Sequence, residues 1–208
     1  SSVVQSISMV IIIDAFAAAH RQWVDGGAVD GQIAYWKSRL AGHSGILQLP
    51  TDFPRPHHPS SDGGLVARIL PAELCNRIAA VAASRRTTPF AVHLAAFLLL
   101  LRQHGAGHDP VVAIPVANRN RAEAAGIVGT LVNTLPFRMT LAGDETFALL
   151  LDRVTQASFE MQENQDAPFE KIIEAVKPDR STDHAPLAQV MFDHQEIPIA
   201  ETWHGGLT

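Results

Sequence analysis

The sequence has little of several features that mark common classes of protein. It contains one cysteine, Cys75, which excludes an internal disulfide and favours a reducing compartment such as the cytoplasm. Charged residues make up 18% of the chain, the formal net charge is −5, and no basic stripe is present. We therefore expect no nucleic-acid partner, because such partners are held by clustered positive charge.

Long apolar runs and metal-site patterns are missing as well. The longest apolar runs, 9–13 and 94–101, are too short to cross a bilayer, so we expect no membrane partner. No glycine-rich phosphate loop is present. His184 and His194 flank the last predicted strand, but no cysteine or acidic residue accompanies them at metal-ligand spacing. We interpret both as surface residues and expect no metal.

The apolar residues that are present suffice for a core and alternate between helical and strand patterns. Hydrophobic residues make up 47% of the 208 positions. Strands alternating with helices predict an α/β fold with helices packed on a mixed sheet. Helices are expected over 31–41, 72–86, 90–104 and 146–163 and in a further segment that ends near 176, and strands over 65–70, 111–116, 127–139 and 187–192.

Residues 42–64 differ in composition from what surrounds them. This stretch contains four prolines and four glycines, which predicts a linker between two subdomains.

Six short segments carry a resemblance to a known family. In order and spacing they resemble the conserved motifs of the condensation domains of nonribosomal peptide synthetases, from about Phe16 to Gln195. The segments are 35–42 (YWKSRLAG), 49–56 (LPTDFPRP), 115–120 (PVANRN), 127–138 (IVGTLVNTLPFR), 164–170 (NQDAPFE) and 185–192 (APLAQVMF).

The resemblance implies a chloramphenicol-acetyltransferase-like α/β fold, a sandwich of two lobes with a tunnel between them. Residues 1–48 would then form the end of the N-terminal lobe, 49–64 the crossover linker and 65–208 the C-terminal lobe. It also implies an activity: the amine of one carrier-bound substrate attacks the thioester of another and forms a peptide bond. The implied partners are donor and acceptor carrier proteins, which bring the phosphopantetheine, and adjacent synthetase domains. No cofactor would bind directly.

This reaction needs a group that positions the amine, donors for the oxyanion and a tunnel that excludes water. The family is understood to supply the first from the second histidine of an HHxxxDG motif, whose aspartate pairs with an arginine. By position, Arg119 is the expected arginine. Asn133 and Thr134 either line the tunnel or satisfy backbone groups at a strand end, and both alternatives stay open. Gln165 and Asp166 could shape the tunnel, although helix capping is the favoured interpretation of Asp166.

Residues 57–63, HHPSSDG, match HHxxxDG letter for letter but stand in the wrong place. In the family this motif precedes the YWxxxLAG segment, whereas here it follows the crossover and lies among prolines. A general base must be held in a fixed orientation, which such a linker does not favour. We interpret the match as chance and expect the catalytic motif upstream of Ser1. This chain would then be a piece that contains no catalytic residue and is inactive alone.

Other functions fit the same pattern. One is a relative of the same fold, such as an epimerisation domain or a stand-alone acyltransferase. Another is an inactive condensation-like platform that recruits a partner protein. The donor and acceptor substrates are not determined by the sequence. His93, within an apolar helix, is expected to be a hydrogen-bonded core residue.

Overall fold

A computed structural model of the chain describes residues 16–47, 49–54, 63–120, 124, 127, 129–178 and 184–195. The helices and strands found there run in the order α1 (16–25), α2 (Asp30–Arg39), α3 (Ala72–Ser84), α4 (Pro89–Gln103), β1 (Val111–Val116), β2 (Asn133–Arg138), α5 (Phe147–Glu163) and α6 (Phe169–Val176). The described chain therefore combines helices and strands, as the sequence predicts, although the two kinds of element do not alternate regularly along it.

Helices α4 and α5 each begin after a threonine whose side chain caps the helix. Thr88 accepts a hydrogen bond from the backbone N–H of Ala91, and proline takes the next position, where its missing N–H does no harm. Thr146 caps α5 in the same way. Gly105 follows α4 with a φ of 92°, a left-handed conformation that ends the helix. These positions agree with the sequence prediction for α4.

The described sheet has two strands, and the mixed sheet that the sequence predicts is present there only as a single parallel bridge beside them. Strands β1 and β2 are antiparallel, with Val111 opposite Arg138 and Val116 opposite Asn133. A parallel bridge joins Ala113 to Met191, because the Phe192 N–H donates to the Ala113 carbonyl at 2.9 Å. Among the described residues, the strand expected over 187–192 is this bridge alone.

The core lies between the sheet and the helices. Helix α4 is apolar almost all round, and its inner residues are buried against α3 and α5, while α2 packs against α6. Leu94, Leu98 and Leu135 are completely buried. The prediction that α4 is covered on most sides is therefore confirmed.

Residues 63–84, which we call the exposed arm, behave differently. Leu65 is 91% exposed and Ile69 is 98% exposed, and most of α3 is exposed as well. The strand predicted over 65–70 is wrong for the described structure, since this segment lies in neither helix nor strand. The alternating pattern is present, but no described strand lies alongside to supply the ladder hydrogen bonds that a strand needs.

Candidate functional site

The loop 164–168 joins α5 to α6 and is held by side chains from distant parts of the chain. Gln32 of α2 accepts hydrogen bonds from the backbone N–H groups of Asp166 and Ala167, both at 2.9 Å. Its amide nitrogen donates to the Asp166 carboxylate at 3.2 Å. One turn further along α2, the buried Trp36 donates from its indole nitrogen to the Asn164 carbonyl at 2.8 Å. Helix α2 is therefore fixed to this loop by two side chains.

Asn133, the first residue of β2, holds the same loop from the other side. Its Nδ2 donates to the Gln165 and Ala167 carbonyls at 3.0 and 2.9 Å. Its Oδ1 accepts from the N–H groups of Thr134 and Phe169 at 2.9 and 3.2 Å. The side chain thus satisfies four backbone groups, which is one of the two alternatives that the sequence leaves open.

Asp166 does not cap α6, so the capping interpretation is wrong. The N-cap residue of α6 is Pro168, and Asn133 rather than a capping side chain accepts from the first N–H of that helix. The Asp166 carboxylate instead accepts hydrogen bonds from Gln32 and, at 2.8 Å, from Nδ2 of Asn120. Asp166 therefore joins α2 to the turn that follows β1.

A cavity of about 530 Å³, the α1 cavity, lies beside this loop. Three resemblance segments meet in its wall: Asn118, Asn133 with Thr134, and Asp166. Asn118 has a φ of 52°, a left-handed conformation that asparagine tolerates, and it turns the chain as β1 ends. Helix α1 lines the cavity as well. Asn118, Asn133, Thr134 and Asp166 thus lie around one space.

Arg119 lies in the same turn and is bound to backbone. Its guanidinium donates to the carbonyls of Ala124 at 2.9 Å, Ile127 at 2.6 Å and Gly129 at 2.6 Å. The planar fork of donors therefore holds the segment that leads into β2. No aspartate is among its partners within the described ranges, so the expected ion pair stays a prediction.

A second arginine, Arg138, ties the linker end of α2 to the sheet. Its Nη2 pairs with Asp109 at 2.7 Å, and its Nη1 donates to the carbonyls of Arg39 and Ala41 at 3.1 and 2.8 Å. The hydrogen bonds from Arg138 hold the pKa of the Asp109 carboxyl below its usual value, although partial burial opposes them. The sequence offers no sign of this pair beyond the arginine that ends the 127–138 segment.

A smaller cavity of about 290 Å³, the β1 cavity, borders the α1 cavity. Gln165 lines it, together with the end of β1 and the start of α4. His194 also lines it, and its ring is tilted against that of His93, with ring centroids 5.1 Å apart. Burial, and then the charge of His194, lower the pKa of His93. Nδ1 of His93 is buried and lacks a hydrogen-bond partner in the described structure, which differs from the bonded core histidine expected.

The described residues supply walls and positioning groups. No three histidine, cysteine or acidic side chains in the described ranges are placed to hold a metal ion. Within the same ranges, no helix is long and apolar enough to cross a membrane. Of the HHPSSDG stretch, residues 57–62 lie outside the described residues, so its interpretation stays a prediction.

Sequence reasoning missed several residues that support the site. Gln32, Trp36 and Asn120 reach the 164–168 loop from more than 40 positions away. Trp36 and Asn120 lie within two of the resemblance segments, but nothing in the sequence indicates that they contact this loop. The spacing of two of these residues does carry a signal. Residues four apart on a helix share a face, so Gln32 and Trp36 are expected to contact the same neighbouring segment.

Comparison with known proteins gives a consistent result. A family model described as the condensation domain matches residues 8–204. A linear gramicidin synthase of Brevibacillus parabrevis is 40% identical over 184 residues, which is 88% of this chain and 2% of that protein. Malpinin synthetase of Mortierella alpina is 38% identical over 86% of this chain and 2% of its own length. The chain therefore spans a small part of these relatives.

Solved structures agree. The X-domain from teicoplanin biosynthesis superposes with a TM-score of 0.78 at 30% identity, covering 85% of this chain and 40% of that one. A complex of the X-domain and OxyB gives a TM-score of 0.79 at 30% identity, over 88% of this chain and 42% of that one. A four-domain nonribosomal peptide synthetase bound to AMP and glycine gives 0.77 at 26% identity, over 81% and 13%.

Proposed function

Because this chain belongs to the condensation-domain family of nonribosomal peptide synthetases, we propose that it forms part of a domain that joins two carrier-bound substrates through a peptide bond. The observation that carries the proposal is the α1 cavity, where three family-like segments meet through Asn118, Asn133 and Asp166. Residues far apart in sequence are brought to one space by hydrogen bonds, as the wall of a substrate passage requires.

The roles proposed for the described residues are positional. Asn133 and Asp166 hold the wall, Thr134 and Gln165 face the two cavities, and Arg119 fixes the segment before β2. A rigid wall helps to keep water from a thioester, which water would hydrolyse. Each thioester would arrive on the phosphopantetheine arm of a carrier protein, and neighbouring synthetase domains would supply the carriers. We propose a cytoplasmic setting, which the single cysteine supports.

The proposal keeps residues 1–48 as the end of one lobe, 49–64 as the crossover and 65–208 as part of the other lobe. It also keeps the catalytic histidine outside the chain. The 208 residues alone would then transfer nothing, because no group here is proposed to position the attacking amine.

A two-carrier assay tests this function. Donor and acceptor carrier proteins are loaded, mixed with the chain, and analysed for the condensed product by mass spectrometry of the intact carriers. We expect no product from the 208-residue chain and product from a longer form of the protein that includes an HHxxxDG motif. The matched control is His104→Ala, an exposed histidine at the end of α4. Turnover by the chain that His58→Ala abolishes, while His104→Ala does not, would overturn our interpretation of 57–63.

One observation favours a second candidate, a platform that recruits a partner enzyme. The teicoplanin X-domain, which superposes well on this chain, has been solved in complex with OxyB. Condensed product in the carrier assay supports the enzyme. Retention of a partner protein together with a degraded motif supports the platform.

A further inference from the structure

The β1 cavity has an apolar floor and a polar edge. Its floor is formed by Phe90 of α4, Ile114 of β1, Met161 of α5 and Phe192. Its edge carries uncharged amide groups and the His194 ring, and Asp193 is the single carboxylate among the described lining residues. An apolar floor with a few polar groups at the mouth is the usual construction of a small-molecule site.

Contacts within the chain hold the floor in place. Phe192 is fixed because its backbone N–H donates to β1, and its ring packs against Phe90 and Phe97 at centroid distances of 5.7 and 5.3 Å. Met161 is 3% exposed and comes from the last turn of α5. A preformed pocket loses little entropy when a ligand enters, which favours binding.

Size and charge restrict what can enter. A volume of about 290 Å³ lies at the lower limit of ligand pockets, which begin at about 300 Å³. The space therefore suits one side chain or a short acyl group. A carboxylate side chain would be removed from water beside the carboxylate of Asp193, which is costly.

The position of the cavity connects it to the proposed reaction. Pro115, Val116 and Ala117 line it, and the next residue, Asn118, lines the α1 cavity. Likewise Gln165 faces one cavity and Asp166 the other. The two cavities therefore border each other at 117–118 and at 165–166.

We propose that the β1 cavity receives the apolar side chain of an amino-acid substrate, and that Met161 and Phe192 determine the size it accepts. This inference rests on the proposed function for its choice of an amino acid. Aliphatic side chains such as that of leucine fit the floor, whereas polar side chains of the same size leave their hydrogen-bonding groups unsatisfied.

The methionine methyl groups give a direct test. The chain has four methionines, and the 208-residue protein is labelled with ¹³C in their methyl groups and titrated with leucinamide. We expect a saturable shift of the Met161 signal, assigned by Met161→Leu, and none of Met139, which is buried elsewhere in the core. Asparaginamide, which is nearly the same size, is expected to bind at least tenfold more weakly.

A pocket-filling variant supplies the matched control. Ala117→Leu places a larger side chain at the mouth of the cavity and is expected to abolish the Met161 shift. Ala96→Leu makes the same change at an exposed position of α4 and is expected to leave it unchanged. An unaltered Met139 signal in both variants shows that the fold is intact.

The titration needs neither carriers nor transfer, so its result is separate from the carrier assay. Absence of a Met161 shift, equal binding of asparaginamide, or unchanged binding by Ala117→Leu would each overturn the inference while leaving the proposed function in place. If leucinamide binds as expected but no longer form of the protein catalyses transfer, the pocket is supported and the proposed function is overturned.

Discussion

In both the loop 164–168 and the exposed arm 63–84, the residue pattern predicts contacts with other residues. The loop makes such contacts within the described chain, whereas most of the arm is exposed. In the loop, Gln32 accepts from the N–H groups of Asp166 and Ala167, and Asn133 donates to the carbonyls of Gln165 and Ala167. In the arm, Leu65 and Ile69 follow a strand pattern and are almost wholly exposed.

The contrast shows which parts of the sequence are explained by contacts within this chain. The polar groups of the loop have hydrogen-bond partners within the chain, which avoids the free-energy cost of burying them unpaired. The arm exposes contiguous apolar side chains, a feature that marks surfaces used for contact with something else. Matched substitutions in the two regions test this distinction.

The largest difference is expected between two leucines. Leu135→Ala removes a completely buried side chain from β2 and should lower the free energy of unfolding by about 2–5 kcal/mol. Leu65→Ala, at 91% exposure, should change it by less than about 0.5 kcal/mol. Urea denaturation of both variants measures the two values. A large loss for Leu65→Ala would mean that the arm is paired in solution, and the contrast would fail.

The next difference concerns two asparagines. Asn133→Ala leaves several partly buried backbone groups unpaired and should cost about 1–3 kcal/mol. Asn76→Ala, on the exposed face of α3, should be neutral or slightly stabilising, since alanine favours helix by up to about 0.7 kcal/mol. The same denaturation experiment applies, and equal effects would show that Asn133 does not hold the loop.

Two ion pairs give a smaller contrast. Asp109→Asn weakens the pair with Arg138 and should cost about 1–2 kcal/mol at neutral pH. Asp152→Asn breaks an exposed pair with Arg85, which follows the arm, and should cost about 0–1 kcal/mol. Urea denaturation at neutral pH measures both, and equal losses would remove the contrast.

The direction in which the pKa of Asp109 is shifted predicts how the contribution of its pair with Arg138 depends on pH. The pKa of Asp109 is lowered on folding, so its contribution is present above the unfolded value of about 3.9 and is lost as the pH falls below it. The difference between wild type and Asp109→Asn should therefore shrink in acid. A difference that stays constant down to pH 3 would contradict the assigned pair.

The smallest expected effect is a change in the slope of stability against pH. The pKa of His93 is lowered by burial and by His194, so the unfolded chain takes up a proton first as the pH falls below about 6.5. Stability should therefore decrease from pH 7 to 5.5, and His93→Gln should reduce that slope. His104→Gln, at an exposed position, is the control and should leave it unchanged. Thermal unfolding across this range provides the measurement.

Much of the fold follows from local sequence. Helices α2, α4 and α5 and strand β1 lie where their periodicity and caps predict them, because those signals are contained within each element. The strand expected over 65–70 fails because a strand is defined by its neighbour, which local alternation does not specify.

The site is only partly predictable for the same reason. Asn133 and Asp166 follow from the family resemblance, but the other side chains that hold this loop, Gln32, Asn120 and Trp36, belong to other elements. Asp166 illustrates the difficulty: its position before a helix suggests a cap, yet Gln32 and Asn120 bind its carboxylate. Tertiary contacts of this kind override local preferences.

The hydrogen bonds between Gln32 and Asp166 also affect when the chain can fold while the ribosome is making it. The two residues are separated by 134 positions. At about 5–20 residues per second, a ribosome needs roughly 7–27 seconds after making α2 before the loop that holds it exists. During that interval the indole of Trp36 and the amide of Gln32 have no native partner. Nascent chains that stall before residue 170 should therefore be the ones that chaperones retain, and release should coincide with the emergence of α6.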